Sequence, residues 1–318
     1  DLTALDYSSF LGGNEPDAAY SLFVTANYSV YVSGGTYSNN FFDIGASIYP
    51  GCGTGADIDG FITHINSSGS AILESKYIGT TSDDQCYFVQ QDRYNNVYLY
   101  GQTQGSMSIS SGVYGNTNSG QFIIKLPPDL STVIFQTTVG SGRGVPDISP
   151  TAFLVDNCDN IYISGWGGIL YGYNNQTSST NGLPITAGAY QTTTDGSDFY
   201  FLLLDRNAQN LVYATYFGGP ISQEHVDGGT SRFDKSGIIY QSVCGGCGSL
   251  SDMPTTPGVV SNTNNSNNCN NALIKFKFDF TNTVAQYTPN LFLSTGCAPL
   301  TVYSVSYTHL TLPTILLV

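Results

Sequence analysis

Charge is what this sequence lacks most. Only 10% of its 318 residues are Asp, Glu, Lys or Arg, against roughly a quarter in an average domain. Glu occurs three times, at Glu15, Glu74 and Glu224. Long amphipathic helices draw on Ala, Leu, Glu, Lys and Arg, so a helical architecture is excluded first. The nine Lys and Arg stand singly in a chain of net charge −14. No basic stripe is available to neutralise phosphates, which argues against nucleic acid and anionic membranes as partners. No run of roughly 18 apolar residues occurs, so no membrane insertion by a helix is expected. The chain opens on Asp1 without an initiator Met or a secretory leader, and the reading is that its true start was trimmed or is missing.

Gly (36 residues), Tyr (23), Ser, Thr and Asn fill the space left by charge. Tyr, Thr and Val suit pleated, half-buried surfaces, and Gly and Asn suit the turns between them. With 41% apolar residues a sizeable core can be buried, and the fold class is all-β.

Internal self-similarity carries most of the information. Four segments share an aromatic-rich strand ending in Gly: Tyr7–Gly13, Ser75–Gly79, Phe135–Gly140 and Tyr213–Gly219. A second motif is a hairpin with Asp, Asn or Gly at its bend, as in Asp92–Gly101, Asp156–Gly165, Asp234–Tyr240 and, more loosely, Asn27–Gly34. Those residue types tolerate positive φ or bond their own backbone. The Tyr landmarks at 31, 98, 162 and 240 recur after 67, 64 and 78 residues. Each unit ends on an apolar strand: Gly60–Ile65, Gln121–Leu126, Asp198–Leu204 and Ala272–Phe278. Units of about 5–70, 71–131, 132–209 and 210–280 thus hold about four strands each, which predicts a β-propeller of four-stranded blades over 1–281. A β-solenoid is the alternative.

Tyr213–Gly219, the hairpin Asp156–Gly165, Gly188–Thr193 and Pro254–Gly258 resemble the bacterial SBBP-type β-propeller repeat. Cys244–Gly248 and the Asn-rich stretch to Cys269 are similar to versions in Bacteroidota cell-surface proteins. The resemblance implies an extracellular or outer-cell-surface address. Ala285–Thr288 and Gly296–Val302, within 284–304, look like the start of a PKD domain, an immunoglobulin-like sandwich that is truncated here. Residues 305–318 look like a translated sequencing adapter and are set aside from fold and function.

Several candidate chemistries can be weighed. Seven Cys in a β-rich chain point to disulfides in an oxidising compartment, with Cys52, Cys86, Cys158, Cys244, Cys247 and Cys269 as candidates. A Cys52–Cys86 bridge between units one and two is one of the fifteen pairings six cysteines allow, and connectivity is not readable from sequence. Cys244-Gly-Gly-Cys247 has metal or redox spacing, but no second pair or nearby His supports it, and no metal site is expected. Asp57, Asp59, Asp83, Asp84 and the Asp195–Asp198 stretch offer carboxylates to calcium, although turn-amide bonding is the commoner use of such Asp. No other cofactor is indicated. His64 falls in a strand, and His225 follows Glu224 in what reads as a solvated loop. Neither belongs to a nucleophile motif. Trp166, with Tyr171 and Tyr173 after it, lies on a loop leaving a strand and suits stacking on sugar rings; a blade-interface Trp is the competing reading. The function expected is a non-catalytic secreted or cell-surface module for adhesion, scaffolding or carbohydrate binding, with an extracellular glycan or surface protein as partner. The alternative is a polysaccharide hydrolase or lyase using loop carboxylates.

Overall fold

In the computed structural model the described residues are 3–42, 47–168, 178–226 and 231–278, with the backbone of 284–287 and 294–297. They build successive antiparallel sheets whose strands follow chain order. Sheet one contains β1 (Asp17–Val24), β2 (Val30–Thr36), β3 (Asp59–Ile65) and β4 (Ile72–Ile78). Sheet two contains β5 (Asp84–Gln91), β6 (Val97–Thr103), β7 (Gln121–Leu126) and β8 (Phe135–Val139). Sheet three contains β9 (Ser149–Val155), β10 (Ile161–Trp166), β11 (Phe199–Leu204) and β12 (Leu211–Phe217). Sheet four has three strands, β13 (Ser231–Phe233), β14 (Ile239–Gly245) and β15 (Asn270–Phe276). This is an all-β propeller architecture in which each sheet is a blade. A separate unit, 277–318, contains the antiparallel hairpin of β16 (Val284–Tyr287) and β17 (Ser294–Cys297) within the expected PKD stretch. The segment 305–318, expected to be an adapter, lies outside the described residues.

The bend residues act as the sequence predicts. Asp92 Oδ1 accepts the amides of Tyr94 and Asn96 at 2.8 and 2.9 Å. Asp156 Oδ1 does the same for Cys158 and Asn160 at 2.7 and 2.9 Å. Asp234 Oδ1 accepts from Ser236 and Ile238 at 2.9 and 3.0 Å. The third bend position then takes positive φ, at Asn95 (68°), Asp159 (65°) and Gly237 (81°). A side-chain acceptor and a tolerant residue together make the short turn between first and second strands.

Strand alternation distributes the core. In β6, Val97 and Leu99 pack toward sheet one with Tyr31, Ile62 and Ile78, while Tyr98 and Tyr100 pack toward sheet three with Phe153, Ile163 and Leu202. A sheet buried on both faces carries apolar residues at both parities, which is why β6, β7 and β11 are buried along their whole length.

The sequence repeat and the sheet are out of phase by one strand. The aromatic strand that opens a unit in the sequence is the last strand of the preceding sheet: β4 pairs with β3, β8 with β7, and β12 with β11.

Lys125 on β7 is buried with its Nζ 3.0 Å from Asp92 Oδ2 and 3.0 Å from Asn207 Oδ1, above the ring of Tyr98. Removing one partner leaves the other charge buried and unpaired. Lys125→Met is therefore expected to destabilise the protein by about 3–5 kcal/mol, and Lys125→Met with Asp92→Asn by clearly less. Chemical denaturation of the two variants measures the difference.

Candidate functional site: carboxylates at the blade junctions

At the three crossings from one sheet to the next, and again in the segment leading into sheet one, the same device recurs: the amide after a Gly is accepted by a carboxylate a few residues on. Gly13 N donates to Asp17 Oδ2 at 2.7 Å, Thr80 N to Asp84 Oδ2 at 2.6 Å, Ser141 N to Asp147 Oδ2 at 2.8 Å, and Gly219 N to Glu224 Oε2 at 3.1 Å. A Cβ on Gly12, Gly79, Gly140 or Gly218 would collide with the carboxylate of its own junction. Gly79 and Gly140 also have positive φ, 145° and 157°, so steric room and backbone conformation both demand glycine there.

Two of these junctions hold a second acid at the start of the third strand. Asp59 sits near enough to Asp84, and Asp198 to Glu224, for its charge to add to the rise in the second carboxyl's proton affinity. Gly218 is hemmed by both Asp198 and Glu224. Asp252 joins that corner, accepting the amides of Ile221 and Ser222 at 3.1 Å each. Three acids thus meet at the third junction. Between sheets two and three the second acid is absent, and Arg143 Nε contacts Asp147 Oδ1 at 2.8 Å instead.

Burial dominates their titration. Loss of hydration pushes Asp84 and Asp198 up to about 6 and Glu224 up to about 7, with neighbouring carboxylates adding to the rise. Asp59 and Asp147 are raised for the same first reason. Glu224 is wholly buried and receives Ser222 Oγ at 2.5 Å and Gly246 N at 3.4 Å besides Gly219 N. The solvated loop expected around Glu224 is thus corrected: its carboxylate is the internal acceptor on which three donors converge.

The calcium candidates are engaged likewise. Asp59 Oδ2 accepts Gly53 N at 2.8 Å, Asp83 Oδ1 accepts Ile58 N at 3.2 Å, and Asp84 Oδ2 also accepts Thr80 Oγ1 at 2.9 Å. Asp57 is half-buried. Among the described residues, one group of three ligand-type side chains has its donor atoms all within 4.8 Å of one another: His225, Cys247 and Cys269. His225 Nδ1 lies 3.7 Å from Cys247 Sγ, so a histidine does stand beside the Cys-x-x-Cys, contrary to the sequence expectation. It comes there because His225 bridges Cys244 backbone to backbone, at 3.1 and 2.9 Å.

Cys247 and Cys269 are bonded to each other, and Cys158 is disulfide-bonded too. Cys52, Cys86 and Cys244 are thiols. The candidate bridge between Cys52 and Cys86 is absent because Cys52 Sγ turns to the Thr80 carbonyl at 3.0 Å, while Cys86 is sealed against Gly60 inside β5. Cys244 stays in strand β14, whereas Cys247 has turned the corner at Gly246 (φ 64°) toward Cys269.

Trp166 ends β10, half-buried, with its ring 5.7 Å from that of His225 across the junction. The loop after it is pinned where it returns, Ser178 Oγ donating to Gly168 O at 2.7 Å. Tyr171 and Tyr173 lie outside the described residues. His64 is satisfied within sheet one, bonded to Ser29 Oγ at 2.8 Å and stacked on Tyr31 at 4.0 Å.

No protein-family pattern and no curated protein matches the chain. Among solved structures it is similar to a protein of unknown function from Bacteroides caccae, at 6% identity and a TM-score of 0.34 over 72% of this chain and 57% of that one. The Dos1 propeller gives 10% and 0.33 over 71% and 42%. An ulvan lyase bound to its sugar gives 9% and 0.38 over 80% and 54%. The chain spans about half the length of these neighbours.

The raised acids fix a pH dependence. A carboxyl whose folded pKa lies above its unfolded value near 4 binds its proton more readily when folded, so folding is favoured on the acidic side. Stability is expected to rise as pH falls from about 8 through 7 toward 5, and Glu224→Gln to flatten that slope. Thermal melts across the range, for both proteins, measure it.

Proposed function

We propose that this chain is a non-catalytic propeller module of an SBBP-type secreted or cell-surface protein, serving adhesion, scaffolding or glycan binding. The observation that carries this reading is the repetition of the acidic site. A catalytic dyad is unique in its protein, yet the pairing of Asp198 with Glu224 has a counterpart in Asp59 with Asp84, and all four side chains are buried. Each already accepts backbone or side-chain donors. A group that cannot touch a substrate cannot transfer a proton to it. Disulfide bonding at Cys247–Cys269 supports an oxidising, extracellular address, and among the described residues no helix is long and apolar enough to cross a membrane.

A second reading, a polysaccharide hydrolase or lyase, is favoured by one feature. Two acids of raised proton affinity, a histidine and a half-buried Trp lie within one junction, which is the composition of many sugar-processing clefts. Opening of that corner would be needed for it to act.

Glycan binding is the version with the clearest test. Trp166 offers a ring face beside His225 at the mouth of the junction, and aromatic faces stack on sugar rings. The full chain is to be titrated against a panel of polysaccharides with and without calcium. Saturable binding weakened about tenfold or more by Trp166→Ala supports a lectin-like module. Chain cleavage of any polysaccharide, abolished by Glu224→Gln, would sink the non-catalytic reading. Binding that needs calcium and is lost on Asp83→Asn or Asp57→Asn would bring the metal into the site.

A further inference from the structure

The corner where β14 ends brings together three side chains of metal-ligand type. His225, Cys247 and Cys269 have their donor atoms within 4.8 Å of one another, and all three are half-buried. An imidazole with two sulfurs is a donor set that selects zinc and other soft or borderline metals over calcium and magnesium. The sulfur pair is not the Cys-x-x-Cys itself, because Cys244 stays in β14 while Cys247 turns toward Cys269.

The spacing is that of a tetrahedral ion. With Zn–S of about 2.3 Å and Zn–N of about 2.0–2.1 Å, a sulfur and a nitrogen ligand stand about 3.5–3.6 Å apart and two sulfurs about 3.8 Å. His225 Nδ1 lies 3.7 Å from Cys247 Sγ. Cys247 and Cys269 are bonded to each other, so the sulfur–sulfur edge opens only when their bridge is reduced.

The three ligands are positioned without help from that bridge. Gly245 and Asn270 are register partners at the ends of β14 and β15, which sets Cys247 two residues past one strand and Cys269 directly before the other. Ser249 N donates to Asn268 O at 3.2 Å and Leu250 N to Gly246 O at 3.0 Å. Asn264 Nδ2 ties both limbs, donating to Gly246 O at 2.8 Å and Asn268 O at 2.7 Å. On the third side, His225 exchanges backbone bonds with Cys244 at 3.1 and 2.9 Å, and Glu224 N donates to Ser197 O at 3.1 Å. None of these bonds involves a sulfur, so cleavage of the bridge leaves all of them in place. A site whose supporting shell is already formed binds without paying to order it.

We infer that the reduced chain binds a zinc ion through His225 Nδ1 and the thiolates of Cys247 and Cys269, with the fourth position left to solvent. Bridge and metal site are alternative states of the same two sulfurs. Reduction adds two electrons and two protons to the bridge. A dithiol supplies both and leaves as a disulfide; a phosphine supplies the electrons, and water the protons and the oxygen of the phosphine oxide. Zinc then displaces the two thiol protons.

Cobalt titration of the full chain under argon tests this, since tetrahedral thiolate ligation gives Co²⁺ intense visible bands that the aqueous ion lacks. Protein reduced with a phosphine is expected to develop these bands, saturating at a single ion per chain, and Zn²⁺ to bleach them. The oxidised protein should show neither effect. Cys269→Ser and His225→Phe are each expected to weaken Co²⁺ binding by at least about tenfold, the second while keeping an aromatic ring against Trp166. Cys244→Ser should leave the bands unchanged, which separates this site from the neighbouring thiol. Far-ultraviolet circular dichroism of the reduced chain should match that of the oxidised one. The inference is overturned by bands that never form, that form equally in oxidised protein, that survive His225→Phe, or that depend on Cys244. A reduced chain that loses its sheets overturns it as well.

Discussion

A buried carboxylate gripping the backbone amide after a glycine is the contact on which this architecture turns. A four-stranded sheet ends at its outer edge, and the chain must cross to begin the next sheet on a new plane. That crossing exposes an amide with no ladder partner, and an orphaned buried amide is costly. Asp84, Asp147 and Glu224 supply the acceptor at the three crossings, and half-buried Asp17 does the same ahead of sheet one. Because the glycine must stand against the carboxylate, the two residue types are fixed together, and the rest of the crossing segment is free to vary in length and composition.

The acidity of the chain looks different in that light. A formal charge of −14 suggests a surface repelling anions, but Asp59, Asp84, Asp147, Asp198 and Glu224 are inside. Burial raises their proton affinity, so they take up protons at higher pH than exposed carboxylates do. These acids are structural acceptors first.

Local features were readable from the sequence, and non-local ones were not. The Asp–Asn bends at Asp92 and Asp156 declare themselves because acceptor and amide are two to four residues apart. The four-strand repeat is visible for the same reason. The aromatic strand pairs with the strand before it, across register distances of 7 to 18 residues, and period alone is silent on where a sheet begins; the sequence units are therefore one strand out of phase with the sheets. Glu224 reads as solvated because its neighbours are polar, and only the fold brings Gly219, Ser222 and Gly246 around it. The signal that could have found it was the repeated spacing from glycine to acid, at Gly12–Asp17, Gly79–Asp84, Gly140–Asp147 and Gly218–Glu224. Cysteine pairing failed similarly: Cys52 and Cys86 belong to adjoining sheets, yet their sulfurs meet different groups.

If the blades are alike in what holds them together, their differences mark where recognition can reside. The connection from second to third strand spans 37–58 in the first blade, 104–120 in the second, 167–198 in the third and 246–269 in the fourth. In the second and third blades the connection braces the outer strand of its own blade, backbone to backbone. Only the third carries Trp166 at its root, and only the fourth is stapled by a disulfide. A long loop fixed at both ends to rigid strands can hold an aromatic face or a polar edge in place without loss of stability elsewhere. Trp166, at the root of the third connection, faces His225, which is bridged to Cys244 at the root of the fourth.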